Sequence, residues 1–411
     1  MIIKGLLALT VLSSVFLGLF LYTPLPEGIS NPGKTQVVMA FMQLFTSVTK
    51  IRELLGYGSL AQDIRTYQEP LGEGSLSSAS YGDVDVKRDK LAGVHVIIYR
   101  PLPARQKAPA TIYFHGGAFV IGSGTFYDQH CYEYAKRSGT VVFCVDYRLA
   151  PDHPFPAAIH DSLDVTRYVL GHGDRFGVDV RKVGVAGDSA GGNLAAAVSL
   201  KLSKEKSNLP PLIFQVLHEP AMQAFNMRLP SFIDNDLPIL TTRTLISFYA
   251  LYLGFDGKNV DNVTKIISEN RHLSPQLYQS KYAEYVDSKL LPEKFRKSKK
   301  FPGKIKGSYS EKVFNKIKQV ITNPLFSPLM SDDLSGVPPA FVHVAEFDVV
   351  RDDGLLFARR LKDAGVKTQL HFSHGGFHLD YYLGAPGLLR TDASQKVMNE
   401  TFIFIKEISR R

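Results

Sequence analysis

Short apolar runs alternate with stretches of helical periodicity along most of the chain. Runs at Val84–Val86, Val94–Tyr99, Ala110–Phe114, Val141–Asp146, Lys182–Ala186, Leu212–Leu217, Val337–Ala345 and Thr368–Ser373 read as strands. Helical segments lie between them, including Ala157–Gly171 and Asn193–Leu200, and a last helix, Ala393–Ile408, spaces its apolar residues to lie on a sheet. This alternation predicts an α/β fold, a mostly parallel central sheet with helices on both faces. It is interrupted twice. Residues 23–80 hold amphipathic stretches such as Val37–Leu55, with Val38, Phe41, Met42 and Phe45, and residues 223–323 are mixed, with Phe248-Tyr249-Ala250-Leu251-Tyr252. Both are expected to build a helical cap over core parts 81–222 and 324–411.

The residues richest in chemistry stand where strands end. Lys182–Ala186 runs into Gly187-Asp188-Ser189-Ala190-Gly191 and then into a helix. A glycine two positions either side of a serine, between strand and helix, describes a nucleophile elbow. The turn is too sharp for flanking side chains, and it lifts the serine hydroxyl clear of the sheet. Upstream, Ala110–Phe114 leads into His115-Gly116-Gly117-Ala118-Phe119. Glycines there let backbone N–H groups swing toward the serine. The N–H groups of Gly117, Ala118 and Ala190 form a candidate oxyanion hole, with Gly116 shaping the turn. Taken alone, that loop also reads as an ordinary glycine turn.

Acid and histidine follow the serine in the order such a site requires. Asp348 sits at the carboxyl end of the Val337–Ala345 strand, and His378 lies 30 residues on, after Thr368–Ser373. His378 is expected to take the proton from Ser189 and return it to the leaving group, while Asp348 fixes its tautomer. Asp352 and Asp353 read as favouring a helix N-terminus. Glu346 is expected to point the other way along its strand, and His374 competes with His378 unless it belongs to the strand. His343 and His371 read as packed residues, and His218-Glu219 as a structural pair. No Cys/His spacing predicts a metal. No cofactor is implied, because nucleophile, base and electrostatic stabilisation all come from side chains and backbone.

Together these stretches resemble the hormone-sensitive lipase family of α/β-hydrolases, in its arylacetamide deacetylase and neutral cholesterol ester hydrolase branch. The resemblance rests on His115–Phe119, Asp146-Tyr147-Arg148-Leu149-Ala150-Pro151 with Phe155–Ala158 and Asp161, Gly187–Gly192, Asp348–Gly354 and Gly376-Phe377-His378. Tyr22–Pro26 and Ser327-Pro328-Leu329 add to it. It implies a membrane-anchored serine esterase acting on lipophilic acyl esters or arylacetamides. Two positions depart from the pattern. The third glycine of the family's upstream motif is Ala118 here, and Val120 and Ala345 stand where some relatives place a pair of linked cysteines. A hydrolase-like binding protein that keeps the pocket without turnover is the competing class, and Ala118 is its one hint.

At 411 residues and 45% apolar, with no repeat, the chain can bury a large core, and a single α/β core with insertions reaches this length. Residues 5–22 form an uncharged apolar run behind Lys4. As a helix this run is about 27 Å long, enough for a thin endoplasmic-reticulum bilayer. A cleaved secretory signal is the alternative, but Leu19–Tyr22 leads into Thr23-Pro24-Leu25-Pro26 without a small-residue cleavage site. With no Lys or Arg until Lys34, residues 1–4 are expected to be cytoplasmic and the catalytic part luminal: a single-pass type II protein. The sequons at Asn262 and Asn399 are the candidate glycosylation sites. Two cysteines, Cys131 and Cys144, exclude a disulfide framework; Cys144 is expected to be a buried thiol, and a bridge between the two stays open. The net charge of +9 is matched by one segment, Lys289–Lys318, with eleven Lys or Arg against two Glu. Nucleic acid is not an expected partner. The segment reads either as leaning toward anionic headgroups or as a solvated insertion.

Overall fold

The computed structural model describes residues 18–68, 82–255, 257–300, 303, 305, 307–384 and 387–410. Most of the expected anchor, residues 5–17, lies outside them, as do residues 69–81 of the first cap segment. Gly18–Leu21 are helical, and among the described residues no helix is long and apolar enough to cross a membrane.

Successive side chains of β3 (Ala108–Phe114) leave on opposite faces: Ala110, Ile112 and Phe114 enter one core and Tyr113 the other. β4 (Val141–Asp146) divides likewise, with Val141, Phe143 and Val145 on one side and Val142 and Cys144 on the other. This two-residue period makes the sheet the partition between two apolar clusters. With β1 (Val84–Leu91), β2 (Val94–Pro101), β5 (Val178–Asp188), β6 (Gln215–His218), β7 (Ala340–Phe347) and β8 (Thr368–Phe377) they form one eight-stranded sheet. The order is β1-β2-β4-β3-β5-β6-β7-β8, with β2 antiparallel to both neighbours and every pairing from β4 to β8 parallel. Helices Ala157–His172, Ala190–Lys204 and Arg351–Asp363 cover one face, and Asp128–Ser138 and Asp392–Ser409 the other. Parallel pairing puts the carboxyl ends of β3, β5, β6, β7 and β8 along one edge, where Ser189, Asp348, His378 and the loop His115–Ala118 lie.

The cap has two parts. Residues 223–323 supply helices from Pro230–Asp234 through Glu311–Ile321, and the N-terminal segment supplies Pro32–Leu54 and Leu60–Gln68. Met39 of the first of these packs with Ile29, Leu237 and Phe377, the residue before His378. Phe41, expected to help build the cap, instead faces outward. Asp352 and Asp353 are also placed differently from expectation. Both are buried and accept hydrogen bonds from the cap insertion and the residue leading into it: Asp352 from Ser231 N–H (2.8 Å), Asp353 from Met222 N–H (2.9 Å) and the Gln223 amide (2.8 Å). They bolt the cap insertion to the core rather than serving their own helix end. Burial, opposed by those donors, pushes the Asp353 carboxyl up to about 8.

Candidate active site

β5 ends at Asp188, and the backbone reverses at Ser189 with φ 52° and ψ −116° before the helix Ala190–Lys204 begins. A residue with a Cβ held there stores about 1–3 kcal/mol of strain. The neighbours explain the glycines: a Cβ on Gly191 would sit 1.9 Å from the Phe114 carbonyl, and one on Gly187 would sit 2.3 Å from the Gly191 carbonyl. β3 and the elbow therefore touch backbone to backbone. That contact fixes the position of the loop following β3.

The structure brings Ser189, Asp348 and His378 together. Asp348 is the first residue past β7 and His378 the first past β8. His378 Nδ1 donates to Asp348 Oδ1 at 2.9 Å, which leaves Nε2 as the acceptor facing Ser189 Oγ at 3.2 Å. Asp348 Oδ1 also accepts from Val350 N–H at 3.0 Å, and Asn235 holds the Asp348 carbonyl at 2.9 Å. Ser189 and His378 are each 4% exposed, so the group meets substrate out of bulk water. His374 is excluded as base: β8 continues through a bulge to Phe377, and His374 points out from the strand with its ring 76% exposed. Glu346 turns away from the triad and accepts from Gly375 N–H at 3.0 Å. His343 and His371 are packed, hydrogen-bonded to Ser373 and Glu400.

Glu219 is the residue that the local pattern did not reveal. It follows β6 with φ 44° and is buried, and its Oε2 accepts from Leu379 N–H at 2.5 Å. The same oxygen lies 3.8 Å from His378 Nδ1, and Oε1 lies 3.9 Å from His343 Nε2. The expected His218-Glu219 pair is not formed; His218 stacks on Tyr381 at 4.5 Å instead. Burial, then the charges of Asp348 and Asp380, hold the Glu219 carboxyl well above its ordinary range, and burial holds His343 neutral. The signal was available: an acid immediately after a strand that lies between those delivering Ser189 and Asp348.

His115, Gly116, Gly117 and Ala118 follow β3 as expected, and Ala118 takes φ 50°. The Gly117 carbonyl accepts from the N–H groups of Val120 (2.9 Å) and Ile121 (3.0 Å). The loop is braced on every side. Gly116 N–H donates to Tyr127 Oη (3.1 Å), Tyr127 donates to Asp188 Oδ2 (2.7 Å), and Tyr113 donates to Asp188 Oδ1 (2.8 Å). Asp188, raised by its burial against those two donors, thus ties the elbow to the loop. The Asp146–Pro151 stretch supplies the rest. Tyr147 stacks on His115 at 4.3 Å and donates to its carbonyl at 2.7 Å, and Ala150 N–H donates to the Phe119 carbonyl at 2.9 Å. Arg148 chelates the buried Asp161, at 2.7 Å for the shortest contact.

Of the remaining candidates, Asn262 and Asn399 are exposed on helices, while Thr264 and Thr401 of their sequons are buried. Cys131 and Cys144 are free and buried. In the basic segment Lys316 lies 4.0 Å over Phe255, Lys294 4.6 Å over Phe295, and Lys300 Nζ donates to the Asp234 carbonyl.

A serine hydroxyl on a strained turn, facing an imidazole backed by a buried carboxylate, is the apparatus of acyl transfer. The α/β-hydrolase fold family matches residues 111–277 and 273–382, and the chain belongs to it. Within it the chain falls in the hormone-sensitive lipase family, on the branch of arylacetamide deacetylases and neutral cholesterol ester hydrolases, and it is a carboxylic ester hydrolase. It is 30% identical to arylacetamide deacetylase of Bos taurus over 405 residues, covering 96% of both chains. Neutral cholesterol ester hydrolase 1 of Mus musculus is 31% identical over 369 residues, 87% of this chain and 88% of that one. Among solved structures, DphMB1 superposes with a TM-score of 0.61 at 28% identity, covering 88% of this chain and 97% of that one. An esterase of Pyrobaculum calidifontis does so with 0.56 at 25% identity, covering 89% and 93%.

Proposed function

We propose that Ser189, His378 and Asp348 are the catalytic triad of a membrane-anchored serine esterase acting on lipophilic carboxylic esters, and on arylacetamides. His378 Nε2 takes the proton as Ser189 Oγ attacks the acyl carbon, then passes it to the leaving alcohol or amine. Water activated by the same nitrogen releases the acid from the acyl-enzyme. Asp348 keeps the proton on Nδ1 and offsets the imidazolium charge. The N–H groups of Gly117, Ala118 and Ala190 stabilise the tetrahedral oxyanion, each worth about 3–4 kcal/mol. The observation that carries this reading is the unbroken chain Ser189 Oγ–His378–Asp348, at 3.2 and 2.9 Å.

Residues 5–22 then act as the signal anchor of a type II protein of the endoplasmic reticulum membrane. The catalytic part faces the lumen, with Asn262 and Asn399 as the glycosylated residues. Support for this part comes from the uncharged run behind Lys4 and the exposure of both asparagines. The test is labelling with a fluorophosphonate, together with turnover of p-nitrophenyl esters. Ser189→Ala is expected to lose the label and at least about a thousandfold in kcat. A wild-type protein that neither labels nor turns over short and medium acyl esters would instead be a ligand-binding relative.

A further inference from the structure

The helix Pro32–Leu54 is inside out. Its buried residues are Thr35, Met39 and Thr49, whereas Val37, Phe41, Leu44, Val48, Ile51 and Leu54 are 45–79% exposed. Between residues 35 and 49 the exposed positions are Val37, Phe41, Leu44 and Val48, all apolar. Steps of four, three, four and three residues set the row from Val37 to Ile51 along one side of the helix. The row does not stop at the helix. Gln43 and Gln36 donate to the carbonyls of Phe20 (2.5 Å) and Leu21 (3.2 Å), so the segment leaving the N-terminal apolar run lies alongside, with Leu19, Phe20 and Tyr22 exposed. At the other flank Lys34 Nζ donates to the Arg390 carbonyl, in a loop whose Leu388 is 90% exposed. A contiguous apolar area of this kind on a water-soluble surface marks an interaction site.

We propose that this face docks into the lipid bilayer, lying in the interface and seating the mouth of the esterase on the membrane. The inference rests on the anchored reading for its orientation: the chain that leaves the apolar run 5–22 runs directly beside the row. A second copy of the chain is the other occupant that such spacing suits. A paired coil needs charges flanking the seam to set its register, and the flanking positions here are Val38, Ala40, Phe45, Ser47, Arg52 and Leu54, with one charge among them. An interfacial helix needs no such pairing. The helix and the turn before it also reach the chemistry. Met39 packs on Phe377, Ser30 N–H donates to the Gly375 carbonyl at 2.8 Å, and Arg52 pairs with Asp63 on the next helix at 3.1 Å. From that helix Arg65 donates to the carbonyl of Val120, behind the loop after β3, at 2.7 Å. An ester dissolved in the membrane would thus meet the enzyme on the side where its base and oxyanion loop are anchored.

The test uses the full chain in phosphatidylcholine/phosphatidylserine vesicles. Cys131 and Cys144 are buried, so Phe41→Cys takes a fluorophore selectively, with the exposed Lys201→Cys as the aqueous control. Quenching by doxyl-labelled lipid is expected to be at least about threefold stronger at position 41 than at 201, with iodide quenching reversed. Joint replacement of Val37, Phe41, Leu44 and Val48 by Ser is expected to slow turnover of a long-chain ester in the vesicles about tenfold and leave a soluble short-chain ester unchanged. Equal iodide quenching at both positions overturns the proposal, as does energy transfer between labelled copies that falls on dilution with unlabelled chain. Alkaline washing reads the anchor separately. A chain that washes off but was lipid-quenched beforehand loses the anchor and keeps the docking face.

Discussion

Glu219 offers the sharpest test of the electrostatics behind the triad. Its Oε2 is 3.8 Å from His378 Nδ1 and accepts from Leu379 N–H. Were the carboxyl ionised, a full charge at that distance would stabilise the imidazolium by about 4 kcal/mol at an effective dielectric of about 20. Losing it would then cost about a thousandfold in rate. Burial and the charges of Asp348 and Asp380 instead hold this carboxyl well above its ordinary range. That direction favours the protonated form, and we read Glu219 as a post that positions the His378–Leu379 backbone rather than as a full counter-charge to the imidazolium. Glu219→Gln keeps an acceptor for Leu379 N–H and is expected to leave kcat/KM within about threefold at pH 7. Glu219→Ala orphans a buried N–H, worth about 1–3 kcal/mol, and is expected to lower kcat by about 10–100-fold with KM little changed. The sign of the pH effect follows from the raised folded-state value. Stability is fully present below the ordinary carboxylate range and is lost as pH rises through the folded value, so the wild type softens toward alkali more than Glu219→Gln does. Ester hydrolysis and thermal melts from acid to alkaline pH supply both readouts. A thousandfold loss in Glu219→Gln would refute the reasoning and make Glu219 an anionic partner of the base.

Two further changes probe the same region. Ala118 holds φ 50°, where a Cβ costs about 1 kcal/mol, but glycine regains about as much freedom in the unfolded chain. Ala118→Gly is therefore expected to move Tm by no more than about 2 °C and kcat by less than about threefold; a hundredfold gain would mean that the methyl group displaces the donor. Asp380 is buried, and burial and Asp348 push its carboxyl up to about 8. Its folded value lies above the unfolded one, so stability present in acid is lost as pH rises through about 8, and Asp380→Asn is expected to flatten that fall. Superimposable melting profiles of the two proteins against pH would count against it.

The sheet and the meeting of Ser189, His378 and Asp348 were legible for one physical reason. Parallel strands deliver the residue that follows each carboxyl end to the same edge, so a serine, an acid and a histidine placed after three strands must meet. Glu219 obeys the same rule after β6, yet His218-Glu219 belongs to no recognised motif, and a polar pair at a strand end is ordinarily structural. Asp352 and Asp353 went astray for a different reason. Carboxylates in a first helical turn favour that helix in isolation, and only the folded cap brings Ser231, Met222 and Gln223 within reach of them.

The helix Pro32–Leu54 carries the more general lesson. Periodicity in Val37–Leu55 correctly implied a helix with two unlike faces, and it cannot say which face is inside. Reading the apolar face as the core assumes that water is the only solvent. Here the fold buries Thr35 and Thr49, with hydroxyls bonded to the carbonyls of Ser30 (2.8 Å) and Thr46 (2.9 Å), and leaves Phe41 and Leu44 outside. An isolated soluble chain gains nothing by that choice, since each exposed large side chain forgoes about 1.5–3 kcal/mol of burial. An apolar medium meeting the row would offset that loss, and Phe20 and Leu21, whose carbonyls accept from Gln43 and Gln36, bring the end of the N-terminal apolar run beside it.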